Sequence, residues 1–128
     1  MNIQKKNIAI LGSTGSIGTQ ALEVVAANPS LFDVYALTAG NNIDLLIQQT
    51  RQFLPEIVVI GNEKHYLDLK EALSDIPVKV FAGLDAIVQV AEMEPIDILL
   101  TAMVGYAGLE PTISAAKAGK RIALANKE

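Results

Sequence analysis

A chain of 128 residues with 14 Asp and Glu against 10 Lys and Arg has a formal net charge of −4, which gives a nucleic-acid partner no electrostatic support. It has no cysteine, which excludes disulfides, thiolate catalysis and a cysteine-based zinc site. Hydrophobic residues make up 51% of it and aromatic residues 5%, and the predominance of Ala, Val, Ile and Leu suits one domain built on a parallel sheet covered by helices.

The segment Met1 to Lys6 is polar and basic, and the apolar run after it stops at Gly12. This is too short for a signal-peptide core with a cleavage site, and no stretch approaches a membrane span. The expectation is a cytoplasmic protein with no membrane partner. Asn7 to Leu11 then reads as a buried strand. The turn Gly12-Ser13-Thr14-Gly15-Ser16-Ile17-Gly18 follows, and it leads into a helix over Thr19 to Asn28, with Ile17, Ala21, Leu22 and Val25 at helical spacing. Glycines between a strand and a helix let a ligand approach the backbone, and the first N–H groups of the helix favour an anion. The turn therefore reads as a phosphate or pyrophosphate site. Its spacing is G-x-x-G-x-x-G, a variant of the dinucleotide fingerprint, and no Lys-Ser or Lys-Thr follows to make it a Walker A loop.

Pro29 ends the helix, and Asp33 to Thr38 is the second strand. After the turn Ala39-Gly40-Asn41-Asn42, Asn42 is placed to cap a helix from Ile43 to about Leu54, which Pro55 breaks. Ile57 to Ile60 is the third strand, followed by a helix over Glu63 to Leu73. Val78 to Phe81 is the fourth strand, and Gly83 to Met93 a helix with Leu84, Ile87, Val88 and Ala91 on one face. Asp97 to Thr101 is the fifth strand, Glu110 to Ala118 a helix with Pro111 near its start, and Arg121 to Leu124 the sixth strand.

Six strands alternating with five helices predict an α/β, Rossmann-like, doubly wound parallel sheet in the order 3-2-1-4-5-6. Ligand binds such a sheet at the carboxyl ends of its strands. That selects the turns after strands one, two, five and six: Gly12–Gly18, Ala39–Asn42, Thr101–Gly108 and Ala125–Glu128. An NAD site places an acid about 20 residues after the glycines to accept the ribose hydroxyl. Leu37 to Asn42 contains none, the first being Asp44, so the turn leans to NADP.

Gly-Ser-Thr-Gly-Ser-Ile-Gly after strand one, Ala-Gly-Asn-Asn after strand two, Ala102 to Thr112 after strand five and Ala125-Asn126-Lys127-Glu128 occur together. The set resembles the amino-terminal domain of the 1-deoxy-D-xylulose 5-phosphate reductoisomerase family, over the whole chain. The resemblance implies that residues 1–128 are an NADPH-binding domain. Longer members continue past the Asn-Lys-Glu into a catalytic domain holding a divalent metal, Mg or Mn, and then a helical domain. It implies that Thr14, Gly15, Ser16 and Ile17 hold the pyrophosphate and adjoining groups, and that Gly40, Asn41 and Asn42 lie near the adenosine ribose and its phosphate. By the same resemblance Asn126 and Glu128 contact the cofactor and Lys127 the substrate. Many members carry Lys or Arg where this chain has Asn41. The implied reaction is rearrangement and NADPH-dependent reduction of 1-deoxy-D-xylulose 5-phosphate to 2-C-methyl-D-erythritol 4-phosphate in isoprenoid biosynthesis, by a homodimeric enzyme. The alternatives are the cofactor domain of another NAD(P)-dependent dehydrogenase and a non-catalytic redox-sensing module.

Tyr66-x-x-x-Lys70 imitates the catalytic pair of short-chain dehydrogenases but follows strand three, too early for that family, and reads as a surface pair. His65, on the same helix, reads as solvated. The acids are scattered, and of them only Glu128 lies in a ligand-edge loop, so catalytic and metal-ligating residues are expected to be absent from these 128 residues, and the chain alone inactive.

Overall fold

The structure is a computed structural model that describes residues 5–103, 111, 113 and 116–124. The elements run β1 Lys6–Leu11, α1 Ser16–Ala27, β2 Phe32–Ala39, α2 Ile43–Phe53, β3 Ile57–Ile60, a 3-10 turn Glu63–His65, α3 Tyr66–Ala72, β4 Lys79–Ala82, α4 Leu84–Ala91, β5 Ile98–Thr101 and β6 Arg121–Leu124. The helix expected over Glu110 to Ala118 lies largely outside the described residues, although Pro111, Ile113, Ala116 and Lys117 are helical.

All six strands pair in parallel, in the order β4-β3-β2-β1-β5-β6. The fourth strand therefore lies outside β3, and not beside β1 as the order 3-2-1-4-5-6 places it. The reason is burial. A strand beside β1 is covered on both faces, which Ile98-Leu99-Leu100-Thr101 can satisfy and Lys79-Val80-Phe81-Ala82 cannot. Lys79 and Phe81 are exposed in β4, the half-solvated pattern of an edge, where a lysine also discourages pairing with another chain.

Handedness then distributes the helices. Steps from β1 through β2 and β3 to β4 all run one way across the sheet, so right-handed crossovers put α1, α2 and α3 on one face. There Leu22 and Val25 of α1, Leu46 of α2 and Leu69 of α3 cover Ile8, Ile10, Leu37, Val58 and Ile60. The step from β4 back to β5 reverses direction, and α4 packs on the opposite face, with Ile87, Val90 and Ala91 against Ala9, Leu11, Val59 and Leu99. The two cores require strict alternation along β1 and β2, yet Ile8 pairs with Val34 while Ala9 pairs with Ala36. The unpaired residue, Tyr35, makes a bulge that resets the parity of β2. Leu37 joins the first core and Ala36 the second.

Two boundaries matter for the site. Helix α1 begins at Ser16, three residues before the expected Thr19, with Gly15 as an extended N-cap residue (ψ 177°). Its amino terminus thus lies inside the glycine turn. Leu84, expected on the buried face of its helix, is instead 46% exposed, because it sits at the mouth of the cleft described below.

Candidate functional site

The connection after β1 turns at Gly12, whose φ of +85° an L side chain rarely adopts. A Cβ there would also come within 3.0 Å of the Ala102 carbonyl, so the loops leaving β1 and β5 touch backbone to backbone. Gly12 N–H and Ser13 N–H both donate to the Thr38 carbonyl, at 3.0 and 2.8 Å, and Gly12 N–H also reaches Thr38 Oγ1 at 3.2 Å. Ser13 is fully buried. Its hydroxyl donates to Gln49 Oε1 at 2.7 Å, and its carbonyl accepts from Gln49 Nε2 at 2.9 Å. This pair bolts the turn to the middle of α2. Gly18 is buried under the same turn, where a Cβ would collide with the Gly12 carbonyl and lie 2.6 Å from Ser13 Cα. The turn is therefore rigid on its inner side.

Its outer side is open. Gly15 is exposed and a Cβ on it would meet only the Gly12 carbonyl, at 3.8 Å. No side chain caps α1, and its first turn contains no acid. The N–H groups at the start of a helix have no intrahelical acceptor, so those of α1 are left for an anion, with the helix dipole adding to the attraction.

The turn after β2 lies alongside. Ala39 is opposite Ile60 in the sheet, which brings Gly61 against Gly40: a Cβ on Gly61 would be 3.4 Å from Gly40 Cα. Gly61 N–H donates to the Ala39 carbonyl at 2.7 Å and Asn62 N–H to the Gly40 carbonyl at 2.9 Å. Asn42 caps α2 as expected, its Oδ1 accepting from Leu45 N–H at 3.2 Å. The Asn41 carbonyl accepts from Ile43 N–H at 2.8 Å, and Asn41 Oδ1 from Asn62 Nδ2 at 2.9 Å.

Between these turns lies a cleft of about 280 Å³, lined by Gly12, Thr38, Ala39, Gly40, Gly61, Leu84, Ile87 and Met103. Backbone and glycine form one wall, and Leu84, Ile87 and Met103 form an apolar one. An apolar wall facing backbone polar groups is the lining of a small-molecule pocket. Gly12 and Gly40 both line it, so the structure brings the first two predicted turns to one opening. Asn126, Lys127 and Glu128, and residues 104–110 after β5, lie outside the described residues. Sequence reasoning passed over Gly61, Asn62 and the apolar wall of α4. Gly61-Asn62 did carry a turn signal, but only the pairing of β3 with β2 makes that turn a neighbour of Gly40.

The other singled-out residues belong to the scaffold. Lys70 lies over the Tyr66 ring, 5.7 Å from its centroid, a cation–π contact on α3. His65 is half-buried at the end of the 3-10 turn. Among the described residues no three His, Asp or Glu side chains gather to hold a metal. No helix among them is long and apolar enough to cross a membrane.

A family model for 1-deoxy-D-xylulose 5-phosphate reductoisomerase matches residues 8–128. The chain belongs to the 1-deoxy-D-xylulose 5-phosphate reductoisomerase family. The reductoisomerase of Phocaeicola vulgatus is 69% identical over 124 residues, covering 97% of this chain and 32% of the relative. That of Microcystis aeruginosa is 52% identical over 126 residues, covering 96% and 32%. The chain thus spans about a third of the length of the curated reductoisomerases it matches. Among solved structures, the reductoisomerase of Zymomonas mobilis in complex with NADPH superposes with a TM-score of 0.92 at 40% identity, covering 97% of this chain and 32% of that one. A reductoisomerase in complex with NADPH, fosmidomycin and magnesium superposes with a TM-score of 0.92 at 35% identity, covering 96% and 30%.

Proposed function

We propose that this chain is the NADPH-binding domain of a 1-deoxy-D-xylulose 5-phosphate reductoisomerase, spanning residues 1–128. The observation that carries the reading is the uncapped, acid-free amino terminus of α1 opening beside an apolar cleft at the carboxyl ends of β1 and β2. Thr14, Gly15, Ser16 and Ile17 would hold the pyrophosphate through the turn and the helix start. Gly40, Asn41 and Asn42 would face the adenosine ribose and its phosphate, and the cleft would take the adenine. Asn126 and Glu128 would complete the cofactor site, and Lys127 would bind a substrate oxygen. When bound, the nicotinamide supplies a hydride, and the protein's part is to position it.

The substrate of the reading is the ketose phosphate 1-deoxy-D-xylulose 5-phosphate, reduced after rearrangement to 2-C-methyl-D-erythritol 4-phosphate, in a homodimer in the cytoplasm. The relatives solved with magnesium support a divalent metal in the whole enzyme. The described residues offer it no site, and its ligands would come from beyond residue 128. Calorimetric titration of the purified chain with NADPH tests the cofactor assignment. Saturable binding, displaced by 2′,5′-ADP, is expected, weakly if other domains add contacts. Absence of heat and of displacement at millimolar ligand would refute it.

A further inference from the structure

The turn after β2 has neither the acid of an NAD site nor an arginine or lysine at Asn41, so the means by which it recognises a 2′-phosphate has to lie elsewhere. The hydrogen bonds around Asn62 supply one. Asn62 Oδ1 accepts from the backbone N–H of Lys64 at 3.0 Å. A backbone N–H is a donor only, so it fixes which end of the Asn62 amide is oxygen. The other end is therefore the NH2 group, and it lies 2.9 Å from Asn41. Because that group donates, the Asn41 atom facing it must be the oxygen. The Asn41 amide is thereby oriented with its acceptor engaged and its NH2 free on the exposed rim of the cofactor opening. Asn42 is oriented in the same way, since its oxygen is held by Leu45 N–H and its NH2 is left over.

The consequence is chemical. A ribose 2′-hydroxyl is recognised in NAD sites by an acceptor, and a 2′-phosphate oxygen needs donors. With each asparagine oxygen held by a neighbouring N–H, the side-chain groups left unengaged in the turn are the two NH2 donors. We propose that Asn62 is a positioning residue for coenzyme choice: by holding the Asn41 oxygen it leaves the Asn41 amide as a fixed donor, and so selects the 2′-phosphate of NADPH over the 2′-hydroxyl of NADH. This rests on the cofactor reading above and adds to it a residue on the neighbouring β3 turn. Asn62 is itself anchored by its backbone N–H on the Gly40 carbonyl, so the orientation is set by three hydrogen bonds that converge on one short segment.

The test is a set of dissociation constants, by calorimetry, for NADPH, NADH, 2′,5′-ADP and 5′-ADP with the wild-type protein, Asn62→Ala, Asn41→Ala and the double variant. Asn62→Ala frees the Asn41 amide to turn its oxygen outward. The ratio of NADH to NADPH dissociation constants should fall roughly tenfold, the worth of a hydrogen bond to a charged group, and the ratio of 5′-ADP to 2′,5′-ADP should fall in parallel. A merely structural role would weaken all four ligands together and leave both ratios in place. In the Asn41→Ala background the Asn62 substitution should have no further effect on either ratio. Thermal unfolding of each variant identifies loss of fold. If the wild type prefers NADPH and Asn62→Ala leaves the ratios unchanged, the proposal fails while the cofactor reading stands. If no nucleotide binds the wild type, the cofactor reading itself fails.

Discussion

Two glycines of one turn make opposite demands. Gly15 has φ −79° and faces outward, so an L side chain fits the backbone there and meets nothing closer than 3.8 Å. Gly15→Val should therefore cost no more than about 1 kcal/mol of stability, the preference of a helix N-cap for glycine over valine, while its branch blocks the anion's approach and abolishes NADPH binding. Gly18 faces inward, and a Cβ there runs into the backbone of Gly12 and Ser13, which cannot move aside as a flexible side chain would. Gly18→Ala should cost about 1–3 kcal/mol or more of stability, the range for overpacking. Denaturant unfolding and NADPH titration of both variants check the contrast. Equal loss of stability in the two would mean that Gly15 is not on the open side.

Helices α2 and α3 are joined across their outer ends by Arg51, which contacts both oxygens of Asp75, at 2.9 and 3.1 Å, and the Ala72 carbonyl at 2.7 Å. The hydrogen bonds from Arg51 hold the Asp75 carboxyl below its ordinary range. A carboxyl whose folded pKa lies below its unfolded value stabilises the fold above the unfolded value, and that contribution disappears as pH falls through the folded value. The pair therefore contributes at neutral pH and is lost on acidification below the usual Asp range, near pH 4. Both side chains are exposed, so the effect is modest and screened by salt. Asp75→Asn should lower the unfolding temperature slightly at pH 7 and make no difference once wild-type Asp75 is protonated. Melting curves from pH 7 to pH 2 would show the two proteins converging, and a constant gap would contradict the assignment. The same helix α2 carries Gln49, so this clamp and the buried Ser13–Gln49 pair fix the glycine turn through one element.

At the scale of the molecule, one reversal of direction makes the site. Because the chain returns from β4 to β5 across the sheet, α4 packs on the face opposite α1, and the cleft opens between its Leu84 and Ile87 and the turns after β1, β2 and β3. What gathers at that crevice is backbone, amide and apolar surface. Three of the described acids are engaged elsewhere: Asp97 accepts from Asn7 N–H at 2.8 Å, Asp33 pairs with Lys5 at 3.5 Å, and Asp75 is held by Arg51. A polypeptide of these 128 residues should bind NADPH without oxidising it in the presence of 1-deoxy-D-xylulose 5-phosphate and magnesium. Nicotinamide absorbance followed over time is the measurement. Turnover that persists after any full-length enzyme has been removed would require carboxylates to converge where the described residues show none.

The amino-acid sequence by itself determined the six strands, the first four helices and the glycine turn after β1. Short apolar runs bounded by Gly and Pro marked all six strands, the asparagine cap marked α2, and Gly-x-x-Gly-x-x-Gly between an apolar strand and a helix marked the tight turn into α1, because these signals are local. The family was legible for the same reason, in four short motifs. The tertiary structure decided what depends on which segments become neighbours. Lys79 and Phe81 hinted at an edge, but only the pairing of β4 with β3 placed that strand outside β3. Leu84 had the spacing of a core residue and became part of the cleft wall, since α4 lies on the face opposite α1, α2 and α3. Asn62 was visible only as a turn residue. Its hold on Asn41 arises because parallel pairing of β2 and β3 sets the ends of two strands side by side, and no periodicity within either segment carries that information.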